Sequence, residues 1–180
     1  RHLAAEHSHA CVHVIGEQPL LDELADAGVQ FTDEVEETDI LLVSWDREID
    51  YHKLHRAHDM LTAGARFFAT NPDVTCPVEG GRMVPDCGAN IAYLEASTGR
   101  KLEVMIGKPS LIIIKIALAR IGLPAEDCLM VGDRLNTDIA MGDASGLDTA
   151  LVLTGCTSEE DLRASTRNPT HVLDSVAQLD

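Results

Sequence analysis

Short apolar runs alternate with longer amphipathic stretches along the whole chain. Six runs have the length and composition of strands: residues 12–15, 40–45, 66–70, 102–106, 128–131 and 149–153. Helical periodicity covers the stretches between them, at residues 20–25, 51–63, 90–97, 109–121, 135–144 and 158–163. Strands that alternate with helices predict right-handed βαβ units, so we expect an α/β fold built on a mostly parallel sheet.

Three stretches depart from this alternation. The predicted helix at residues 109–121 is apolar nearly all round, so we expect it to be buried on more than one side. Residues 72–88 are rich in Pro, Gly and Cys and predict loops with a short hairpin around Gly80 and Gly81. A domain boundary is expected near residues 105–107, where polar sequence gives way to the apolar helix.

The charge of the chain limits its partners. A length of 180 residues allows one ordinary domain or two small ones, and the formal net charge is −16. Nucleic acid is a poor partner for such a surface, because its phosphates are repelled. No apolar run approaches the ~20 residues that a membrane helix needs, so no membrane partner is expected. Abundant Asp with little Lys favours a halophilic protein, and the alternative is an acidic protein of an ordinary cytoplasm.

The five cysteines are widely spaced and include no C-x-x-C pair, so zinc and dithiol chemistry gain no support. A reducing, cytoplasmic location is the simplest setting for them. The chain opens with Arg1, and we expect it to be part of a longer protein.

Residues 107–110, "GKPS", place Lys108 between a predicted strand and a predicted helix. A phosphate-binding P-loop is excluded, because Leu102 stands where its first glycine must lie. Backbone N–H groups and the dipole at a helix N-terminus favour an anion, and a lysine ammonium adds to that attraction. Lys108 is therefore either part of an anion site or a surface lysine in a turn.

Two carboxylates follow the apolar run at residues 128–131. Asp133 lies at the carboxyl end of the predicted strand, where open α/β sheets place their ligands, and Asp138 lies one turn into the next helix. Mg²⁺ is bound through one or two carboxylates together with water and substrate oxygens. The alternative is a helix N-cap beside a solvated aspartate. An EF-hand is excluded by Leu135, which stands where an oxygen ligand should be.

In combination, these segments resemble the haloacid dehalogenase superfamily, and in detail its subfamily IIA of sugar-phosphate and p-nitrophenyl phosphatases. Five stretches carry the resemblance, which extends over almost the whole chain: "SWDREIDYHKL", "FFATNPD", "AYLEASTG", "GKPS" and "MVGDRLNTDIAMGDASGLDTALVLTG". The resemblance implies a Rossmann-like core that carries an α/β cap of the C2 type. Residues 1–104 would be the cap, with a few linker residues at the start, and residues 105–180 the carboxyl-terminal half of the core.

The resemblance also implies a chemistry and a set of residue roles. The family hydrolyses small phosphomonoesters with Mg²⁺ through an aspartyl-phosphate. By position, Lys108 screens the phosphoryl charge and contacts substrate, and Asp133 holds Mg²⁺ with support from Asp138. Asn71 and Asp73 are candidates to contact substrate, with ordinary Asn-Pro-Asp turn chemistry as the alternative. A homodimer is among the assemblies that the resemblance implies.

One part of the family pattern is missing from this sequence. Its nucleophile and general acid come from an Asp-x-Asp motif, and no two of the 17 aspartates have that spacing. We expect the family's first two motifs to precede Arg1, and the 180 residues alone to be inactive.

Two alternatives stay open. In the first, Asp46 and the Thr70–Asn71 pair substitute for the missing motifs, although Glu48 stands where a second aspartate is needed. The simpler reading of Asp46 is a loop residue that caps the next helix. In the second, the chain is a non-catalytic, doubly wound binding module or a degenerate phosphatase.

Overall fold

The computed structural model describes residues 2–179, and the chain forms two compact units that divide after Gly107. Both units are α/β in construction and contain parallel sheets, which confirms the predicted fold class. Among the described residues, no helix has both the length and the apolar character that crossing a bilayer requires.

The first unit is built on a five-stranded parallel sheet of order β2-β1-β3-β4-β7. Its strands are β1 (Cys11–Ile15), β2 (Gln30–Phe31), β3 (Ile40–Val43), β4 (Arg66–Ala69) and β7 (Val104–Met105). Its helices are α1 (His2–Glu6), α2 (Gln18–Asp26), α3 (Tyr51–Ala63) and α4 (Cys87–Thr98). A hairpin of β5 (Thr75–Val78) and β6 (Arg82–Pro85) lies outside the sheet, with Gly80 and Gly81 at positive φ in its turn, as predicted.

The central strand β3 has its whole length buried, and successive side chains enter different clusters. Leu41 and Val43 join residues of α3 and α4, whereas Ile40 and Leu42 join residues of α1 and α2. Helices therefore cover both faces of the sheet, as parallel sheets require. Polar residues begin directly after the buried strands, at Ser44 after β3 and Thr70 after β4.

The second unit contains a three-stranded parallel sheet of order β10-β9-β8. Its strands are β8 (Leu129–Gly132), β9 (Asp148–Val152) and β10 (His171–Leu173). Its helices are α5 (Leu111–Ile121), α6 (Ala140–Ser145) and α7 (Glu159–Ala164), and a π-helical segment, Leu135–Ile139, leads into α6. One core cluster joins Ile114 to Met141 and Leu147, and a second joins Leu135 and Ile139 to Leu151.

Helix α5 differs from its prediction. We expected it to be buried on more than one side, but Ile114 is its only buried residue. Ile113, Ile116 and Ile121 are 39%, 37% and 59% exposed. The expectation was wrong for these residues because an apolar composition favours burial, whereas burial itself depends on the elements that lie alongside the helix.

Candidate active site

Lys108 and Asp138 form an ion pair in the second unit. Lys108 Nζ donates to Asp138 Oδ1 at 2.8 Å, and the backbone N–H of Arg134 donates to Asp138 Oδ2 at 3.2 Å. The Asp138 side chain is only 4% exposed, whereas that of Lys108 is 51% exposed. The buried Asp138 carboxylate thus orients the Lys108 ammonium, while about half of the lysine side chain stays exposed to solvent.

The glycine before Asp133 makes this pairing sterically possible. A Cβ on Gly132 would lie 2.6 Å from Asp138 Oδ2 and closer still to its Cβ and Cγ atoms. Gly132 ends β8, and the π-helical segment after it brings Asp138 back over the strand end. The loop between the two aspartates is therefore braced by Asp138 itself, through the Arg134 N–H group.

Asp133 is held by the loop that follows β9. The backbone N–H of Cys156 donates to Asp133 Oδ2 at 2.8 Å, and that of Thr157 donates to the Asp133 carbonyl at 3.1 Å. A Cβ on Gly155 would lie 2.0 Å from Asp133 Oδ2, so only glycine leaves room for the carboxylate. The Cys156 N–H bond is the main cause of a lowered pKa of Asp133, and partial burial opposes it. The carboxylate is therefore ionised at neutral pH.

The donor chemistry at Asp133 fits a hard cation. Mg²⁺ takes one or two carboxylates and completes its shell with waters and substrate oxygens. Asp133 presents an ionised carboxylate whose Oδ1 is not engaged by the Cys156 contact. Within residues 2–179, no three His, Cys, Asp or Glu side chains cluster closely enough to form a metal site by themselves. These residues can therefore supply one carboxylate ligand, with Asp138 acting on Lys108 and the loop.

Asn71 and Asp73 lie in the first unit, just after β4. Asn71 Nδ2 donates to Asp86 Oδ1 at 3.2 Å, and the Asp73 carbonyl accepts the backbone N–H of Gly88 at 2.7 Å. Asp86 is the N-cap of α4, and its Oδ1 also accepts from Cys87 N at 2.5 Å. Burial raises the pKa of the Cys87 thiol, whose Sγ lies 3.3 Å from the Val43 carbonyl.

Asp46 is engaged in a structural role. Its side chain is 2% exposed, with Oδ2 2.7 Å from Lys53 Nζ and Oδ1 accepting from Glu48 N at 2.9 Å. We expected Asp46 to cap the helix that follows, and this was wrong. Asp50 caps α3 instead, and its side chain accepts from Lys53 N. Both Asp46 oxygens thus have partners within the first unit, as in a carboxylate that braces a loop, and a catalytic role for Asp46 stays an untested alternative.

The structure adds partners that sequence reasoning missed. The N–H of Cys156 and the space at Gly155 shape the Asp133 site, and Asp86 fixes the amide of Asn71. For the Cys156 N–H group and the space at Gly155, the only signal in the sequence was the glycine that follows the predicted strand at residues 149–153.

A protein-family model described as HAD-hydrolase-like matches residues 105–179, the part of the chain that contains Lys108, Asp133 and Asp138. A solved p-nitrophenyl phosphatase from Archaeoglobus fulgidus superposes with a TM-score of 0.90 at 36% identity, over 98% of this chain and 69% of that one.

Curated relatives match nearly the whole chain. It is 41% identical to the sugar-phosphatase AraL of Bacillus subtilis (strain 168), over 93% of this chain and 61% of AraL. It is 37% identical to the 5'-nucleotidase YutF of the same organism, over 99% of this chain and 68% of YutF. The chain thus spans 61% to 68% of the length of these two relatives. These matches extend over both units and show that the chain belongs to the haloacid dehalogenase superfamily, in its subfamily IIA.

Proposed function

We propose that the protein is a Mg²⁺-dependent phosphatase that hydrolyses a small phosphorylated metabolite. The observation that carries the proposal is Lys108, held at 2.8 Å by the buried Asp138 in the same unit as the ionised Asp133. Phosphoryl transfer needs charge neutralisation and in-line positioning more than elaborate covalent chemistry. An oriented ammonium and a carboxylate that can hold a cation both contribute to charge neutralisation.

Each residue has a defined task in this proposal. Lys108 places its ammonium against the phosphoryl oxygens, and Asp138 keeps it oriented. Asp133 holds Mg²⁺, which when bound neutralises the charge that develops on the phosphoryl group. Asn71 and Asp73, in the first unit, are kept as proposed substrate contacts.

The aspartyl-phosphate route requires an Asp-x-Asp pair, and the 180-residue sequence contains none. We therefore assign to these residues the lysine and metal part of the site. The proposal includes a reducing cytoplasmic location, which the free state of all five cysteines supports. A homodimer stays a prediction that a mass measurement in solution can decide.

The test is turnover of p-nitrophenyl phosphate by the protein expressed from its complete reading frame. Activity should depend on Mg²⁺, disappear with EDTA, and fall at least ~100-fold in Asp133→Asn, a loss typical of removing one preorganised charge-stabilising group. Asp143→Asn is the matched control, because Asp143 is an exposed carboxylate of the same unit, with its Oδ2 3.9 Å from Arg167 Nη1.

Residues 1–180 alone should show no turnover. Robust activity that survives Asp133→Asn would contradict the assignment of the metal ligand. Absence of turnover on every phosphomonoester tried, with the complete reading frame folded, would favour the non-catalytic binding module.

A further inference from the structure

A histidine is buried in the middle of β1, among apolar neighbours. His13 is the third residue of this strand, and its side chain is only 10% exposed. Because side chains alternate along a strand, His13 lies on the same face as Ile15, which packs in the cluster that contains residues of α3. The proposed function does not use His13. A buried polar ring of this kind needs hydrogen-bond partners, and two other segments of the first unit supply them.

Both partners of the His13 ring are acceptors. Its Nδ1 lies 3.0 Å from the Thr32 carbonyl oxygen and 3.2 Å from Asp33 Oδ1. A carbonyl and a carboxylate can only accept, so Nδ1 carries a proton whether the imidazole is neutral or charged. The proton that is gained and lost with pH is therefore the one on Nε2. Titration of His13 thus preserves these hydrogen bonds and changes only the charge of the donor.

The bond to Thr32 also accounts for the shortness of β2. The pairing of β2 with β1 ends at Phe31, and the Thr32 N–H donates to the Val12 carbonyl at 3.2 Å. In a continuing parallel ladder, the Thr32 carbonyl would next accept from the N–H of Val14. It accepts from the His13 ring instead, and the ladder ends there. The attachment of the chain that follows β2 therefore depends on the His13 side chain.

Charged groups from several elements lie around the His13 ring. Asp33 follows β2, Arg56 belongs to α3, and Glu37 belongs to the turn before β3. Asp33 Oδ1 lies 3.0 Å from Arg56 Nη1, so this oxygen is shared between a permanent cation and a titratable ring. Glu37 acts at one remove, since its Oε2 accepts from Thr32 Oγ1 at 3.3 Å. The residue that pairs with His13 on β3 is uncharged.

We propose that His13, Asp33 and Arg56 form a pH-sensitive latch, which holds residues 32–34 more firmly to the sheet when His13 is protonated. With a neutral ring, the Asp33 carboxylate is balanced by Arg56. A proton on Nε2 turns the contact with Asp33 into a hydrogen bond between two charged groups, which is roughly twice as strong as a neutral one. The opposite charge of Asp33 offsets the cost of a charge on a buried ring. The latch belongs to the first unit and does not depend on the proposed function.

The test is amide hydrogen exchange of the protein as a function of pH, expressed as protection factors that remove the intrinsic pH dependence of exchange. The Thr32 N–H is the reporter, since it bonds to Val12 beside the latch. Its protection should rise ~5-fold from about pH 8 to about pH 5, the interval in which histidines change charge. The Ser44 N–H bonds to the Ile15 carbonyl at 2.8 Å, on the other edge of β1. Its protection is the internal reference and should not change.

Substitutions identify the groups that form the latch. His13→Asn keeps an N–H donor near the position of Nδ1 without a titratable charge, so the protection of Thr32 should not depend on pH. Asp33→Asn removes the anion and should also abolish the rise, whereas Arg56→Gln removes the competing cation and should enlarge it. His55→Asn is the matched control, because His55 forms an exposed pair with a carboxylate within α3 and should leave the rise intact.

A ¹⁵N spectrum of the imidazole tests the assigned protons directly. At about pH 8, the His13 ring should carry its proton on Nδ1 and a lone pair on Nε2. A lone pair on Nδ1 would refute the assigned hydrogen bonds. A protection of Thr32 that is constant with pH in wild type, or that rises equally in His13→Asn or Asp33→Asn, would overturn the latch.

Discussion

Asp138 engages both of its oxygens with donors of its own unit, Lys108 Nζ and Arg134 N. In Asp138→Asn, one of these donors must face the new NH₂ group. We expect kcat to fall ~10-fold as Lys108 loses its orientation, and the free energy of unfolding to fall by about 1 kcal/mol because one hydrogen bond to the buried side chain is lost. Steady-state kinetics and urea unfolding measure the two effects.

Asp143→Asn serves as the control for this prediction too, since it removes a charge from the same unit without touching Lys108. The assigned role of Asp138 would be wrong if Asp138→Asn lost stability but kept wild-type kcat.

The lowered pKa of Asp133 predicts a pH dependence with a defined sign. The group binds protons less readily in the folded state than in the unfolded state, so its contribution to stability is present above the ordinary pKa of an aspartate. That contribution is lost as the pH falls through the lowered value. Asp133→Asn should therefore cost about 1 kcal/mol at neutral pH, where the bond from Cys156 N loses its charged acceptor, and nothing in strong acid.

Urea unfolding of wild type and Asp133→Asn across the acid range measures this difference directly, because other titrating groups cancel between the two proteins. A difference that stayed constant down to the lowest pH would mean that the Asp133 charge does not contribute.

At the residue scale, the sequence indicated the candidate site residues but not the groups that hold them in place. Lys108, Asp133 and Asp138 could be singled out because each has a fixed spacing from a strand end or a glycine. The N–H group of Cys156 and the Asn71–Asp86 contact bring together residues that are 23 and 15 positions apart, and no local pattern encodes such pairs.

Among the elements, the buried strands and capped helices were predicted best. Helix α3 has the predicted bounds, because Asp50 caps its start and Gly64 at positive φ ends it. The two-residue strand Gln30–Phe31 was missed, since both residues are exposed and form no alternating pattern. The helix predicted at residues 135–144 begins instead as a π-helical segment, and that departure places Asp138 against Gly132.

The loop after β9 supports a prediction of its own. Gly155→Ala should displace the Asp133 carboxylate, since the new Cβ would lie 2.0 Å from Oδ2. We expect Mg²⁺-dependent activity to fall at least ~100-fold, as for a group misplaced in a preorganised site, while the unit stays folded. A Mg²⁺ titration of activity measures this loss, and circular dichroism verifies that the variant is folded.

Gly146→Ala is the control for backbone strain. Gly146 has a φ of 73° and open space around the position of a Cβ, so alanine there should lower stability and spare the site. Equal losses of activity in the two variants, at matched stability, would contradict the prediction that Gly155→Ala acts by displacing the Asp133 carboxylate.

For the whole molecule, the net charge of −16 predicts that stability depends on salt. Repulsion among surface carboxylates destabilises the compact state, and screening weakens it as the ionic strength rises. The urea midpoint should increase from low to molar KCl. The double variant Glu34→Gln/Glu36→Gln, which removes two exposed charges, should gain less from salt. A midpoint that is highest without salt would contradict the halophilic interpretation.

The close fit between two glycines and two carboxylates has a consequence for evolution. Gly132 lies against Asp138 and Gly155 lies against Asp133, so closely that a side chain at either glycine would overlap the aspartate. A lineage that kept both aspartates could not replace either glycine, whereas one that lost an aspartate would be released from the matching constraint. In an alignment of related sequences, these four positions should therefore vary as two linked pairs, and a change at Gly155 should mark a descendant that has abandoned the carboxylate at position 133.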